Sequence, residues 1–201
     1  MQRNRILPWF VSLLWPVLDR LLITSYRIKP VRTDSIISVQ LRRYKGYPIT
    51  LGDGSKVKAG DKIIELHLNS AWFRQRRKLS LVASRLHWEA LHCFAKDLSY
   101  LAEQMVNGMF DSGVTALHGV TLLHTGTKRL GFQVMPLPTT LWKKLVRFYL
   151  TGLMQIHHPL GKERLKAMGK PLEVKGVWLS RAELLRRYAP ESVKSLLDSL
   201  R

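Results

Sequence analysis

The stretch DKIIELHLN, residues 61–69, predicts the strand around which the domain is built. Its apolar residues alternate, as they do in a strand that lays one face on a core. The face toward the core carries Ile64, Leu66 and Leu68. The opposite face carries Ile63, Glu65, His67 and Asn69. The strand therefore has one apolar face and one face that carries polar side chains.

An acid, an imidazole and an amide follow one another on that second face. We expect Glu65 to hold His67 in one tautomer as a general base, with Asn69 binding a substrate carbonyl or hydroxyl. The alternative is a solvent face on which Asn69 and Ser70 cap the next helix. No Ser or Cys nucleophile accompanies His67 nearby, so these residue types alone are not a catalytic signature.

Strand and turn signals surround this segment. Residues 35–44 are rich in β-forming side chains, and a short strand is predicted at 172–179. Asp53-Gly54 lies between β-forming residues in 49–57 and predicts a tight hairpin, because two-residue hairpin turns need positive φ at both central positions.

A second hairpin is predicted further along the chain, with strands at 113–124 and 130–136 and a basic turn at 125–129. Backbone N–H groups and side chains of that turn are expected to bind an anion. The side chains in question are those of Thr125, Lys128 and Arg129. Without a bulge at Gly119, His118 and His124 share a strand face, and we expect them to line a pocket.

The remaining patterns are helical. Residues 71–108 lack Gly and Pro until Gly108 and show apolar side chains at helical spacing, so one long helix is predicted. A helix is also expected from Leu141 to about His157. Ser180 and Glu183 form a capping box that opens another helix, and Pro190 opens a last one.

These patterns predict an α+β fold, or an α/β one. We expect a single compact domain in which a small β-sheet with hairpins packs against one long helix and several shorter helices. A chain of 201 residues fits one domain of ordinary size. Residues 31–201 are assigned to that domain, and residues 1–30 to an N-terminal apolar helical segment.

The N-terminal segment is strongly apolar over residues 6–24. A spanning helix is not expected because Asp19 and Arg20 lie inside it and Pro16 interrupts it. A cleaved signal peptide is not expected either, since no small-x-small cleavage site follows. Two alternatives stay open: a helix packed on the domain core, or an interfacial helix with aromatic side chains at a membrane surface.

Charge is the outlying property of the composition. Lys and Arg number 33 against 14 Asp and Glu, which gives a net charge of +19. Such a basic protein is expected to bind phosphate groups, on anionic lipid or on nucleic acid. Nucleic acid is not favoured, because no RNP string, GXXG loop or zinc finger is present. The densest group of cations, expected to bind an anion unless it is a solvated face, is Arg74, Arg76, Arg77 and Lys78.

Cofactors are not expected. The single cysteine, Cys93, excludes an internal disulfide and Cys-rich zinc modules. His67, His118 and His124 together would suffice for zinc if they converged, but nothing in their spacing requires a metal.

The whole chain resembles the uncharacterised YkoP-like family of bacterial proteins. The resemblance is carried by Trp15 and Asp19, by the segments 43–46, 60–69 and 129–132, and by Trp178-Leu179-Ser180-Arg181 with the following helix. Members of the family are small free-standing proteins or modules on the C-terminal side of polysaccharide deacetylases. The resemblance implies a role in the bacterial cell envelope or in polysaccharide metabolism. It implies no activity, because the deacetylase chemistry belongs to the neighbouring domain.

We therefore expect a basic accessory protein, cytoplasmic or peripheral at the cytoplasmic face of the membrane. Its expected partner is an anionic lipid, a lipid-linked saccharide or an envelope enzyme. The first alternative is a small group-transfer enzyme acting on a sugar or lipid, with His67 as general base. The second is a nucleic-acid-binding protein, argued from charge alone.

Overall fold

The computed structural model describes residues 28–77, 83–122, 124–137, 146, 150 and 173–191. The predicted N-terminal segment therefore lies almost wholly outside the described residues, as do the helix predicted at 141–157, apart from two residues, and the last helix. Residues 29 and 30, which were assigned to that segment, form a strand of the main sheet.

A mixed six-stranded sheet forms the centre of the domain, in the order β1-β2-β5-β6-β8-β7. Its neighbouring strands are antiparallel except for β5 and β6, which run parallel. Strands β3 and β4 form a separate two-stranded hairpin. The strands are β1 (Lys29–Pro30), β2 (Ile37–Arg43), β3 (Ile49–Thr50), β4 (Lys56–Val57), β5 (Lys62–Leu68), β6 (Val114–Thr121), β7 (Gln133–Pro136) and β8 (Lys175–Ser180).

The combination of this sheet with helices confirms the α+β class. Val146 and Leu150 pack beside Val120 on the sheet face opposite the main core. Helices also cover the core face. They are α1 (Ser70–Arg77), α2 (Ala83–Val106), α3 (His124–Thr127), with a 3₁₀ turn at Lys128–Leu130, and α4 (Arg181–Tyr188). The single helix predicted at 71–108 is described as α1 and α2. Its predicted end is confirmed, because Gly108 takes a left-handed φ of 71° just beyond α2.

The main core lies between the sheet and helices α2 and α4. Ile64 and Leu66 of β5 point into it, as their alternation predicts, whereas Leu68 at the strand end is 44% exposed. The helices contribute Leu98, Leu101, Met105 and Leu184. Glu65 and His67 consequently belong to the sheet face that α2 does not cover.

The prediction of a hairpin from residues 113–136 is wrong. β6 and β7 are not neighbours, because β8 inserts between them and pairs antiparallel with both. All residues of β8 from Gly176 to Ser180 are buried, and a strand buried on both faces is stabilised most in a central position. The predicted turn at its tip is instead the short helix α3 and its 3₁₀ extension.

The hairpin predicted around Asp53-Gly54 is present, but its turn is longer than two residues. Residues 51–55 separate the strands, and the amide of Leu51 donates to the Ser55 carbonyl at 2.8 Å. Gly54 supplies the left-handed φ of 84°. The Asp53 carboxylate accepts a hydrogen bond from the Ser55 amide at 3.1 Å, so it stabilises the turn through its side chain.

Candidate functional site

A row of side chains crosses the sheet on the face opposite α2. The register of the strands places them side by side, one from each of five neighbouring strands. We call them the polar row: Gln40, Glu65, His118, Trp178 and Gln133. The same face continues into Ile63 and Ala116, which pack on the β3–β4 hairpin with Trp178. The row is therefore bordered by the hairpin on one side.

Glu65 is engaged with Arg42 in an ion pair. The Glu65 side chain is 13% exposed, while that of Arg42 is 47% exposed, so solvent reaches the arginine first. The expectation that Glu65 orients His67 through a hydrogen bond is wrong in this arrangement, because the carboxylate pairs with the guanidinium. Glu65 acts on the imidazole only through its charge.

His67 lies two residues beyond Glu65 on β5 and faces the same way. Its Nε2 atom is buried and has no hydrogen-bond partner among the described residues. Burial lowers the pKa of His67, and the positive charge of Arg42 acts in the same direction, whereas the charge of Glu65 opposes them. Buried polar atoms in proteins are nearly always hydrogen-bonded, so this atom marks a place where a partner is missing.

His118 adjoins Glu65 in register on β6 and stacks against Trp178, with ring centroids 4.1 Å apart and planes tilted by 34°. Burial lowers its pKa to about 4; the charge of Glu65 opposes the shift, and Arg42 and His67 add to it. Gly176 lies beside the ring: a Cβ there would lie 3.7 Å from His118 Nε2. The imidazole is thus neutral at physiological pH.

Asn69 does not join these groups. Its Oδ1 accepts from the Ala71 amide at 3.1 Å, which caps α1. Its Nδ2 donates to the Ser35 carbonyl at 3.0 Å. The structure places Asn69 in the fold's own hydrogen bonds, and the expected role in binding substrate is corrected accordingly.

His124 is also separate, since it begins α3 after β6 has ended at Thr121. The expected shared face with His118 is therefore wrong. Within the ranges 28–77, 83–122, 124–137 and 173–191, no three His, Cys, Asp or Glu side chains lie close enough together to hold a metal ion.

Two of the predicted anion-binding arginines are engaged elsewhere. Arg76 pairs with Glu89 at 2.5 Å and with Asp34 at 3.1 Å, and it lies 4.3 Å over the Trp72 ring. Arg129 lies 5.8 Å over the ring of Trp88, on the helix that packs on the opposite face of the sheet from the polar row. Neither arginine completes the histidine site.

The other predicted anion ligands are only partly described. Lys128 is exposed on the 3₁₀ turn next to Arg129. The side chains of Arg74, Arg77 and Thr125, and the whole of Lys78, lie outside the description. Their anion-binding role stays a prediction.

Exposed cations instead gather at one end of the sheet. There, the end of β2 contacts the turn between β4 and β5: the Gly60 amide donates to the Tyr44 carbonyl at 2.8 Å, and Arg43 donates to the Gly60 carbonyl at 3.0 Å. Tyr47, in the loop after β2, is 89% exposed. We call this surface the basic end and define it by Arg43, Lys45, Tyr47, Lys56 and Lys58, all of which are exposed.

One structural residue was missed by the sequence analysis. Asp97, in the middle of α2, is completely buried and accepts hydrogen bonds from the Ser35 hydroxyl at 2.7 Å, the Ile36 amide at 2.9 Å and Arg32 Nε at 2.6 Å. The sequence does contain a sign of this role, because Asp97 lies on the apolar face of the helix between Phe94 and Leu101.

A family model described as the YkoP domain matches residues 9–188. This chain belongs to the YkoP family. It is similar to the uncharacterized protein YkoP of Bacillus subtilis (strain 168), with 26% identity over 131 residues that cover 63% of this chain and 69% of the relative. No solved structure matches the chain. The segments that carried the resemblance all lie within residues 9–188, and the resemblance is confirmed.

Among the described helices, none combines the length and the apolarity that crossing a bilayer requires.

Proposed function

We propose that this protein is a basic accessory protein of the bacterial cell envelope that binds an anionic partner, and that phosphate-bearing lipid headgroups at the cytoplasmic face of the membrane are that partner. The observation that carries the proposal is the basic end, whose segments 43–47 and 56–58 carry four exposed cations and an exposed tyrosine. The net charge of +19 supplies a long-range attraction in the same direction.

The chemistry of the basic end supports lipid headgroups. Lys45, Lys56 and Lys58 have no carboxylate within ion-pair distance in the described part of the chain, so their charges are available to a partner. Each cation near an anionic surface contributes about 1 kcal/mol. Tyr47 adds an aromatic ring of the kind that enters the headgroup layer.

The test is vesicle sedimentation with phosphatidylglycerol mixed into phosphatidylcholine, compared with phosphatidylcholine alone. The proposal expects binding that requires phosphatidylglycerol and weakens as salt is added, because the charges are screened. Reversing Lys45, Lys56 and Lys58 to Glu is expected to weaken binding by about a hundredfold or more.

A matched control carries the same change in net charge elsewhere. Lys29 and Lys96 are exposed on other parts of the surface, and changing both to Glu is expected to weaken binding by less than about tenfold. The equal-charge comparison is the double variant in which Lys56 and Lys58 are changed to Glu, and equal loss in both double variants would show that only net charge matters. Absence of vesicle binding at low salt, or tighter binding to nucleic acid than to vesicles, would refute the proposal.

A further inference from the structure

A second site, independent of the basic end, is indicated by the polar groups on the face of the sheet opposite α2. The part of a sheet face that is shielded from water is ordinarily apolar, since buried polar groups cost free energy unless they are paired. Here Ser38 lies beside His67 in register, and Gln40 lies beside Glu65. All four side chains are only partly exposed, so hydrogen-bonding groups collect where packing alone would favour aliphatic ones.

The hydrogen bonds of these groups are incomplete. His67 Nε2 is buried without a partner among the described residues, and the neighbouring Gln40 side chain is half-buried. Gly176 adjoins His118 at a closely packed position, because a Cβ there would lie 3.3 Å from Leu137 Cδ2, 3.5 Å from Trp178 Nε1 and 3.7 Å from His118 Nε2. The group therefore contains one buried polar atom that lacks a partner, the Nε2 of His67.

The charge of the group is balanced. Glu65 and Arg42 neutralise one another in their ion pair. Burial keeps the two imidazoles uncharged, because it lowers the pKa of both. An ion entering this site would meet no net opposite charge and would lose its hydration, which disfavours charged ligands.

We infer that the polar row together with His67 forms a binding site for a small, uncharged molecule that carries several hydroxyl groups. A hydroxyl both donates and accepts, so it satisfies a neutral imidazole nitrogen in either tautomer. Further hydroxyls match the Gln40 amide and the free lone pairs of the Glu65 carboxylate. Arg42 is the member of the group that is most open to solvent, with 47% of its side chain exposed.

The role of His67 in this binding site differs from its role in the general-base hypothesis. Binding requires only a hydrogen bond at Nε2 and no proton transfer. A ligand hydroxyl donating to that atom is the arrangement on which the group-transfer alternative would depend.

The test is NMR of the histidine rings in the full chain at neutral pH. The neutral probes are glucose and glycerol, and the charged probe is glucose 6-phosphate. We expect glucose to shift the ring signals of His67 and His118 saturably in the millimolar range, while exposed His92 on α2 stays unchanged. His67→Gln is expected to weaken glucose binding, read at His118, by about tenfold, and His92→Gln is expected to leave it unchanged.

Unchanged signals of both His67 and His118 with both neutral probes would overturn the inference, since a bound water would then be the partner of Nε2. A response to glucose 6-phosphate as strong as that to glucose would also overturn it. The comparison of probes uses the unaltered protein, so the result stands even if a variant fails to fold.

Discussion

Glu65 and His118 lie directly side by side on the parallel strands β5 and β6, so a carboxylate borders an imidazole that burial keeps neutral. The negative charge of Glu65 favours protonation of His118, yet the effect of burial is larger. The Glu65 carboxylate forms an ion pair with the Arg42 guanidinium. The pairing of strands thereby creates an uncharged polar site from groups that are usually charged or surface-exposed.

This relationship predicts that acid destabilises the protein. The pKa of His118 is about 4 when folded and 6.5 when unfolded, so the unfolded chain binds more protons between these values. Stability contributed by neutral His118 is complete above pH 6.5 and is lost as the pH falls toward 4. The free energy of unfolding should fall by up to about 1.4 kcal/mol per pH unit in that window.

Urea unfolding across the window measures this slope, and His118→Gln should reduce it. The difference between the two slopes gives the contribution of His118, because His67, whose pKa burial also lowers, and Glu183, whose pKa the Arg186 and Arg187 hydrogen bonds lower to about 2, are present in both proteins. The same slope in the variant and the unaltered protein would refute the prediction.

Asp97 is expected to be among the most important polar residues for stability. Asp97→Ala removes the acceptor for Ser35, the Ile36 amide and Arg32, and leaves buried donors unsatisfied. We expect a loss of about 3 kcal/mol or more in the free energy of unfolding. Glu103→Ala on the same helix, at an exposed position, is the matched control and should change stability by less than about 0.5 kcal/mol. Similar losses in chemical unfolding for both variants would contradict this account.

Ser180 joins the β3–β4 hairpin to α4. Its hydroxyl accepts from the Glu183 amide at 2.9 Å and donates to the Asp53 carboxylate. Ser180→Ala should therefore cost about 1–2 kcal/mol, since one change removes a helix cap and a link to the hairpin. Ser180→Thr, which retains a hydroxyl, should retain more stability than Ser180→Ala in thermal unfolding. The reverse order would show that packing outweighs these hydrogen bonds.

The sequence predicted local features well. Alternation placed Glu65 and His67 on one face of β5, because side-chain parity depends only on the strand itself. The N-cap at Ser180 and the helix end at Gly108 were likewise correct, since caps involve residues a few positions apart, although the Glu183 carboxylate of the predicted capping box pairs with Arg186 and Arg187. Each of these features depends only on residues a few positions apart in the sequence.

The features that failed depend on distant residues. Nothing near residues 114–136 shows that β8, about forty residues later, inserts between β6 and β7. The pairing of Glu65 with Arg42 rather than with His67 follows from the antiparallel register of β2 and β5. The polar row could not be predicted from the sequence, because its five members come from five strands and their alignment depends on how those strands pair.

The most direct test of the polar site is the pH titration of the His118 ring by NMR in the intact protein. The account predicts that His118 stays neutral down to about pH 4, because burial outweighs the attraction of Glu65 for a proton. Titration near pH 6.5, the value of an exposed histidine, would show that this face of the sheet is open to water and that the site does not exist as described.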